Sequence, residues 1–154
     1  MSNSGEKLIA KNSSAFRDFA VLESLECGIE LMGPEVKSLR EARTNLKDSF
    51  ARIDAKEIWL YNMHISPYEQ ASHFNLEPTR RRRLLLHKKE ILRLEDKVRQ
   101  KGLALVPLRL YFKKGRAKVE LALVKGKRLY DKRTALKKKQ LNLEVKRTLR
   151  RQNR

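Results

Sequence analysis

The chain has 154 residues, of which 37 are Lys or Arg and 18 are Asp or Glu, so its net charge is +19; 40% of its residues are hydrophobic. This length is enough for one domain with a real core, and a second folded domain is not expected. The charge predicts a polyanionic partner, most often nucleic acid, with a basic membrane-surface protein as the alternative.

The single Cys and three His exclude an internal disulfide and give no recognisable zinc site, so we expect neither metal nor cofactor. The sequence has no run of about 18 apolar residues, and its N-terminus lacks the apolar core of a secretory signal. These features predict a cytoplasmic protein without membrane attachment.

Residues 1–7 are small and polar, and we expect them to be disordered. Apolar and polar residues alternate from 19 to 31, which predicts a half-buried strand, and Glu23 interrupts its apolar face as an edge or a bulge would. Gly33 and Pro34 predict a turn, after which we expect residues 35–40 to return as a second strand.

Residues 51–55 and 58–65 have the pattern of a hairpin. The side chains expected on one face of its second strand are Trp59, Tyr61, Met63 and Ile65. We expect the two aromatic residues to lie in the core. Residues 66–79 have no usable period, and a loop of this length in a small domain is more often functional or mobile than idle.

Residues 87–101 predict a helix that places Ile91, Leu94 and Val98 on one side, with Gly102 as its C-terminal cap. Two further strands follow. Their inward positions are expected to be Ala104, Val106, Leu108, Leu110 and Phe112, and then Ala117, Val119, Leu121 and Leu123. Five or six strands with one longer helix predict a mainly β (α+β) fold over residues 8–124, with a small closed antiparallel barrel of the OB type as the leading candidate.

The last 30 residues, 125–154, form a basic tail with 13 Lys or Arg against Asp131 and Glu144. Such a segment cannot build a core, and its like charges repel one another in a free helix. Leu141, Val145 and Leu149 nevertheless fall on one thin stripe. We therefore expect a tail that is disordered when free and helical when bound to a polyanion.

No enzyme signature is present: the sequence has no glycine-rich phosphate loop, no nucleophile elbow and no metal-ligand spacing. The three histidines, His64, His73 and His87, each have an ordinary structural explanation. A binding protein is the prediction. An RNA-processing enzyme that uses His64 or His73 is the alternative from another class.

The run from Arg80 to Arg83 is the densest charge outside the tail. It is either a solvated segment or a phosphate contact, and the repulsion among four guanidinium groups favours the second reading. Tyr68 and Phe74 lie in the preceding loop, where they could stack on unpaired bases.

Several motifs in the same order resemble one family, the tmRNA-binding small protein B, SmpB. Residues 28–40 read Gly-Ile-Glu-Leu-Met-Gly-Pro-Glu-Val-Lys-Ser-Leu-Arg, which is similar to the family signature G-I-x-L-x-G-x-E-V-K-S-L-R. Residues 64–68, 77–80 with 84–88, 124–127 and 130–133 match the family as well. The resemblance extends from about residue 10 to the tail.

The resemblance implies an OB-fold barrel that binds the tRNA-like domain of tmRNA and delivers it to stalled bacterial ribosomes in trans-translation. It also implies that the tail becomes helical in the empty mRNA channel beyond the decoding centre of the small subunit. A monomer without catalytic activity is expected. A basic ribosomal or ribosome-assembly protein is the alternative binding module.

The resemblance also assigns residues to these roles. For the tmRNA contact it implies Asn12, Glu26, Leu85 and Lys118, and we add the basic residues Lys37, Arg40, Arg80, Arg81, Arg82 and Arg83. For the ribosome-binding tail it implies Asp131, Lys132 and Arg133, and we add the basic residues Lys127, Arg128, Lys137, Lys138, Lys139, Lys146, Arg147, Arg150 and Arg151. One departure from the family pattern is Arg17-Asp18-Phe19, where many members have His-acid-Tyr.

Overall fold

The computed structural model describes residues 5–69, 76–100, 102–126 and 140–151. The strands are β1 (Glu6–Lys11), β2 (Phe19–Ile29), β3 (Thr44–Asn45), β4 (Phe50–Asp54), β5 (Glu57–Tyr61), β6 (His64–Ile65), β7 (Arg82–Leu85), β8 (Leu103–Lys113) and β9 (Arg116–Gly126). The helices are α1 (Ser13–Asp18), α2 (Gly33–Arg40), α3 (Lys88–Val98) and α4 (residues 140–151).

Seven strands form one antiparallel sheet in the order β1-β8-β4-β5-β7-β2-β9, and a further pairing of β8 with β9 closes the ring. Strands β1 and β4 follow one another along the same edge of β8. Closure of a sheet removes its free edges. The mainly β, closed barrel of the OB type is therefore confirmed.

The long strands bend at irregularities in their register. One lies between Val21 and Glu23 on β2, where the sequence leaves an edge or a bulge as alternatives, and another between Pro107 and Arg109 on β8. Pro107 has no N–H to donate to the ladder, so a bulge is a position that tolerates it.

The core fills the barrel and the space beneath the helices. Its most deeply buried apolar side chains are Leu39, Leu46, Ile58, Leu60, Met63, Leu94, Leu105, Leu110, Val119, Leu121 and Val124. Cys27 is also buried, and burial raises the pKa of its thiol to about 12. A thiol in this environment is a packing group and not a nucleophile.

The expectation that residues 35–40 form a strand is wrong, because they belong to helix α2. Pro34 occupies the first turn of this helix, and the Glu35 carboxylate accepts a hydrogen bond from the backbone N–H of Met32 at 3.0 Å. Leu39 is buried. Proline near the start and an acid at the third position are helix-start features that the short apolar period concealed.

The predicted hairpin is confirmed as β4 and β5, but the assignment of one inward face to Trp59, Tyr61, Met63 and Ile65 is wrong. Ile58 and Leu60 enter the core, while Trp59 and Tyr61 alternate with them on the outside. Asn62, at φ 63°, breaks the strand and changes its parity. Odd-numbered positions therefore face inward only after this break.

The remaining elements differ from expectation in detail. Helix α3 is present where predicted, with Ile91 and Leu94 buried, but it ends at Val98 with Arg99 as its C-cap. The single inward face expected for 104–112 is wrong, because the bulge at Pro107 places Val106 and Leu108 in a second cluster and Leu110 in the main core. Strands β1 and β7 and helix α1 were not predicted, and β1 begins inside the segment 1–7 that we expected to be disordered.

Candidate nucleic-acid interface

The four arginines of the run from Arg80 to Arg83 lie in different environments, because the second half of the run begins strand β7. Arg82 faces inward and is 1% exposed, whereas Arg81 is exposed. Arg80 and Arg83 are partly exposed and paired with carboxylates. The sequence expectation treated the run as one charged segment, but the alternation of a strand divides it.

Arg82 is held by a carboxylate and two backbone carbonyls. Its Nε donates to Glu35 Oε2 at 2.6 Å, its Nη1 to the carbonyl of Met63 at 2.7 Å and its Nη2 to the carbonyl of Pro78 at 3.0 Å. Arg80 also donates to Glu35 through Nη2 and through Nε. With its side chain enclosed and engaged in this way, Arg82 does not present its charge at the surface.

These contacts determine the charge states of Glu35 and Arg82. Burial raises the pKa of Glu35, but hydrogen bonds from Arg80 and from the Met32 backbone, together with the charge of Arg82, outweigh it, so the pKa lies below its ordinary value. Burial lowers the pKa of Arg82, which Glu35 opposes. Both groups are charged at neutral pH, so Glu35 is the anion that neutralises two of the four arginines, Arg80 and Arg82.

The other two arginines face outward. Arg83 donates to Glu30 Oε2 at 3.0 Å and to Glu57 Oε1 at 3.2 Å. The Arg81 guanidinium lies 4.2 Å from the centre of the Trp59 ring. Of the run, Arg81 is therefore the residue whose charge is least compensated within the described part of the chain.

Leu85, on the outer side of β7, lies against Gly28 and is 48% exposed. A Cβ atom built on Gly28 would be 3.2 Å from the Leu85 Cβ, which is closer than packed carbons normally approach. Glycine at this position lets β7 and its side chain sit close to β2. Leu85 is thus an exposed apolar side chain whose position is fixed by its contact with β2.

Leu85 and Lys118 line the same open groove, whose volume is about 280 Å³. Lys118 pairs with Gly28 across the β2–β9 ladder, and Arg116 lines the groove two residues earlier. An apolar side chain beside two cations suits a nucleotide, because the base can pack on the leucine while its phosphate meets a cation.

Glu26 lies on the same outer surface, two residues before Gly28. Its carboxylate accepts a hydrogen bond from the hydroxyl of Tyr111 at 2.5 Å and one from Lys113 at 3.3 Å. The Tyr111 bond, with the charges of Lys113 and Lys118, holds the pKa of Glu26 below its ordinary value. Tyr111 was missed at the sequence level, since only the strand register brings its hydroxyl to the carboxylate.

Asn12 is apart from this group and is 4% exposed. Its side chain accepts a hydrogen bond from the backbone N–H of Ala15 at 3.3 Å and donates to the carbonyl of Pro107 at 2.9 Å. It thereby caps helix α1 and ties it to the bulge of β8. In this structure Asn12 supports the fold.

Helix α2, which lies within the signature segment 28–40, carries two cations that face outward. Lys37 lies 5.5 Å from the ring centre of Tyr68, and Arg40 is exposed in the last turn of α2. In α4 every residue is exposed, including Lys146, Arg147, Arg150 and Arg151. The other predicted tail residues lie outside the described residues: Lys127, Arg128, Asp131, Lys132, Arg133, Lys137, Lys138 and Lys139. His73 and Phe74 lie outside them too.

Within residues 5–69, 76–100, 102–126 and 140–151, no group of three His, Cys, Asp or Glu side chains could hold a metal ion. None of the helices described is both long and apolar enough to span a membrane.

The closed ring with a basic outer surface defines a small β-barrel protein of the OB type. The model of the SmpB protein family matches residues 9–151, and the chain belongs to this family. The SsrA-binding protein of Carboxydothermus hydrogenoformans is 58% identical over 145 residues, which cover 94% of this chain and 97% of that protein. The SsrA-binding protein of Geobacter sulfurreducens is 56% identical over 146 residues, or 95% of each chain.

A solved structure gives the same result for the fold. A chain from the work described as "tmRNA-SmpB: a journey to the center of the bacterial ribosome" superimposes with a TM-score of 0.66. It is 50% identical in sequence and covers 77% of this chain and 83% of its own length.

Proposed function

We propose that the protein binds the tRNA-like domain of tmRNA and delivers it to stalled ribosomes in trans-translation, as a cytoplasmic monomer without catalytic activity. The observation that carries this proposal is its membership of a family whose relatives are SsrA-binding proteins, together with its 50% identity to a chain from the work described as "tmRNA-SmpB: a journey to the center of the bacterial ribosome". The charge of +19 agrees with a partner made of RNA.

The proposed tmRNA surface is centred on the groove of Leu85 and Lys118, with Glu26 on the adjoining sheet. Three of the four residues that the family resemblance assigns to tmRNA thus meet on neighbouring strands, although up to 92 positions of sequence separate them. Lys118 supplies charge, and Leu85 supplies an apolar platform. Asn12 acts on this surface only through the fold, and Arg82 is not part of it.

The proposed ribosomal element is the basic tail, residues 125–154. In α4, Leu141, Val145 and Leu149 form an exposed stripe on a helix that also carries four cations. A helix of this kind suits a channel lined with phosphates, because the cations are neutralised there and the stripe can pack against the wall. We expect it to enter the empty mRNA channel beyond the decoding centre.

The test is binding to a tRNA-like-domain fragment of tmRNA and to an elongator tRNA over a salt series, with the full chain and with a chain ending at Lys127. Preference for the fragment should persist in both proteins, because the groove belongs to the barrel. Phosphate contacts alone weaken steeply with salt and do not distinguish RNAs. If the preference disappears with salt or with the tail, a basic ribosomal protein becomes the better explanation.

A further inference from the structure

The outer face of the β4–β5 hairpin carries aromatic and arginine side chains in register. Phe50 lies opposite Tyr61, and Arg52 lies opposite Trp59. All four side chains point away from Ile58 and Leu60, which are fully buried. The hairpin therefore has an apolar inner face for the main core and an outer face of aromatic and arginine side chains, of which Phe50 also packs against the second apolar cluster.

These side chains stack on one another. The Phe50 and Tyr61 rings have centroids 5.4 Å apart and planes inclined by 13°, and the Arg52 guanidinium lies 5.4 Å from the centre of Phe50. Arg81 lies over Trp59 in the same manner. The two guanidinium groups thus form flat, cationic outer layers over aromatic rings.

The charges of Arg52 and Arg81 are not matched by a carboxylate within 4 Å in the described part of the structure. Arg83, on the same face, is paired with both Glu30 and Glu57. Of these three arginines, the two without a carboxylate partner are thus the two that lie on aromatic rings. A partner that offers both negative charge and flat rings would complement them.

A groove of about 530 Å³ opens beside this stack, lined by Phe50 and Arg52 on one side and by Val98 and Arg99 of the α3 end on the other. It lies where β4 pairs with β8 through Ala51 and Leu105, both of which line it. Its size is within the range of pockets that take a small organic group such as a nucleotide.

We propose that this face binds an unpaired RNA segment, with bases stacking on Arg52 and Arg81 and phosphates meeting the guanidinium N–H groups. Stacking on aromatic and arginine planes is how single strands are bound without sequence preference, and it requires bases that a duplex does not offer. In the ring of strands, β4 and β5 lie across from β9 and β2. Strand β5 also neighbours β7, so Arg52 on β4 is the part of this surface that lies away from the groove of Leu85 and Lys118.

Trp59, the single tryptophan of the chain, lets the full-length protein report on this face directly. The experiment titrates single-stranded oligouridine of about 12 nucleotides, a length within the usual range for one OB fold, and an RNA duplex of equal length. We expect saturable quenching of Trp59 fluorescence by the single strand and little by the duplex. Absence of quenching, or equal quenching by both, would overturn the proposal and leave a protein partner for this face.

Two matched variants separate stacking from general charge. Arg52→Gln/Arg81→Gln removes the cations of the face, and Lys88→Gln/Lys89→Gln removes the same charge from exposed positions at the start of α3. We expect the first to weaken oligouridine binding about tenfold and the second by less than about twofold, since stacking and local phosphate contacts are lost only in the first. Equal losses would contradict a specific site.

The single change Arg52→Gln distinguishes this surface from the tmRNA surface. It should weaken oligouridine binding severalfold but leave binding of the tRNA-like-domain fragment within about twofold of wild type, because Arg52 lies on β4, across the ring from β2. A comparable loss of fragment binding would refute a separate site while leaving the proposed function standing.

Discussion

The guanidinium of Arg82 lies against the carboxylate of Glu35, with 2.6 Å between Nε and Oε2, and the two side chains are 1% and 5% exposed. Glu35 stands at the start of α2 and Arg82 at the start of β7. Because Arg82 also donates to the carbonyls of Met63 and Pro78, the pair joins helix α2 to the backbone just before β6 and to the segment just before β7.

Glu35→Gln should destabilise the protein by about 3 kcal/mol, because removing one member of a buried ion pair leaves the other charge uncompensated. Urea unfolding followed by circular dichroism measures this loss. The control is Glu30→Gln, which breaks an exposed pair with Arg83 and should cost less than about 1 kcal/mol. Equal losses of unfolding free energy in the two variants would show that the buried pair stabilises the fold no more than the exposed pair does.

The same pair predicts a pH dependence. The pKa of Glu35 is lower in the folded chain than its ordinary value of 4.5, so its ionisation stabilises the fold above pH 4.5 and this contribution is lost as the pH falls through the lowered pKa. The difference in unfolding free energy between wild type and Glu35→Gln should therefore shrink on acidification from pH 7. Urea titrations at several pH values measure it, and a constant difference would argue against linkage.

The fold was predictable where the sequence alternates without interruption. Strand β9 shows this best, because Val119, Leu121 and Leu123 enter the main core as expected. Prediction failed where a single residue changes the parity of a strand, as Asn62 and Pro107 do. Such breaks depend on backbone conformation and tertiary pairing, which no hydrophobic period encodes.

The site was predictable only in part. Family resemblance identified Glu26, Leu85 and Lys118, and the register of the strands brings them to one surface. Charge density did not distinguish Arg82 from Arg81, although one is buried and the other exposed. To distinguish the buried arginine from the exposed one, it must be known that Arg82 and Arg83 begin a strand between β5 and β2. Four like charges in sequence do not suggest a strand.

Leu85→Ala should weaken binding of the tRNA-like-domain fragment about tenfold, because it removes the apolar platform of the groove. Its effect on unfolding should stay below about 1 kcal/mol, since the side chain is already half exposed. Leu92→Ala is the matched control, because Leu92 on α3 is 50% exposed against 48% for Leu85. Gel-shift titration measures both, and equal binding by the two variants would remove Leu85 from the proposed surface.

Gly28→Ala tests the same groove from below. The added Cβ would lie 3.2 Å from that of Leu85, so Leu85 must shift by a few tenths of an ångström. We expect fragment binding to fall severalfold, with a cost in stability of about 1 kcal/mol for the crowded contact. The double variant Gly28→Ala/Leu85→Gly removes the Leu85 Cβ, so it relieves the clash and should bind no worse than Leu85→Gly. An additive loss in the double variant would contradict an effect transmitted through Leu85.

The tail helix is tested by Val145→Pro, with Val145→Ala as its control. Val145 is 56% exposed in the middle of α4, so both changes leave the barrel untouched. Proline in a helix interior costs about 3 kcal/mol, whereas alanine favours the helix.

In a purified translation system stalled on truncated mRNA, Val145→Pro should slow peptide tagging about tenfold or more while tmRNA-fragment binding stays at the wild-type level. Val145→Ala should tag at a near-normal rate. Wild-type tagging by Val145→Pro would show that the tail acts as flexible charge, and equal loss in both variants would assign its role to the apolar stripe and not to the helix.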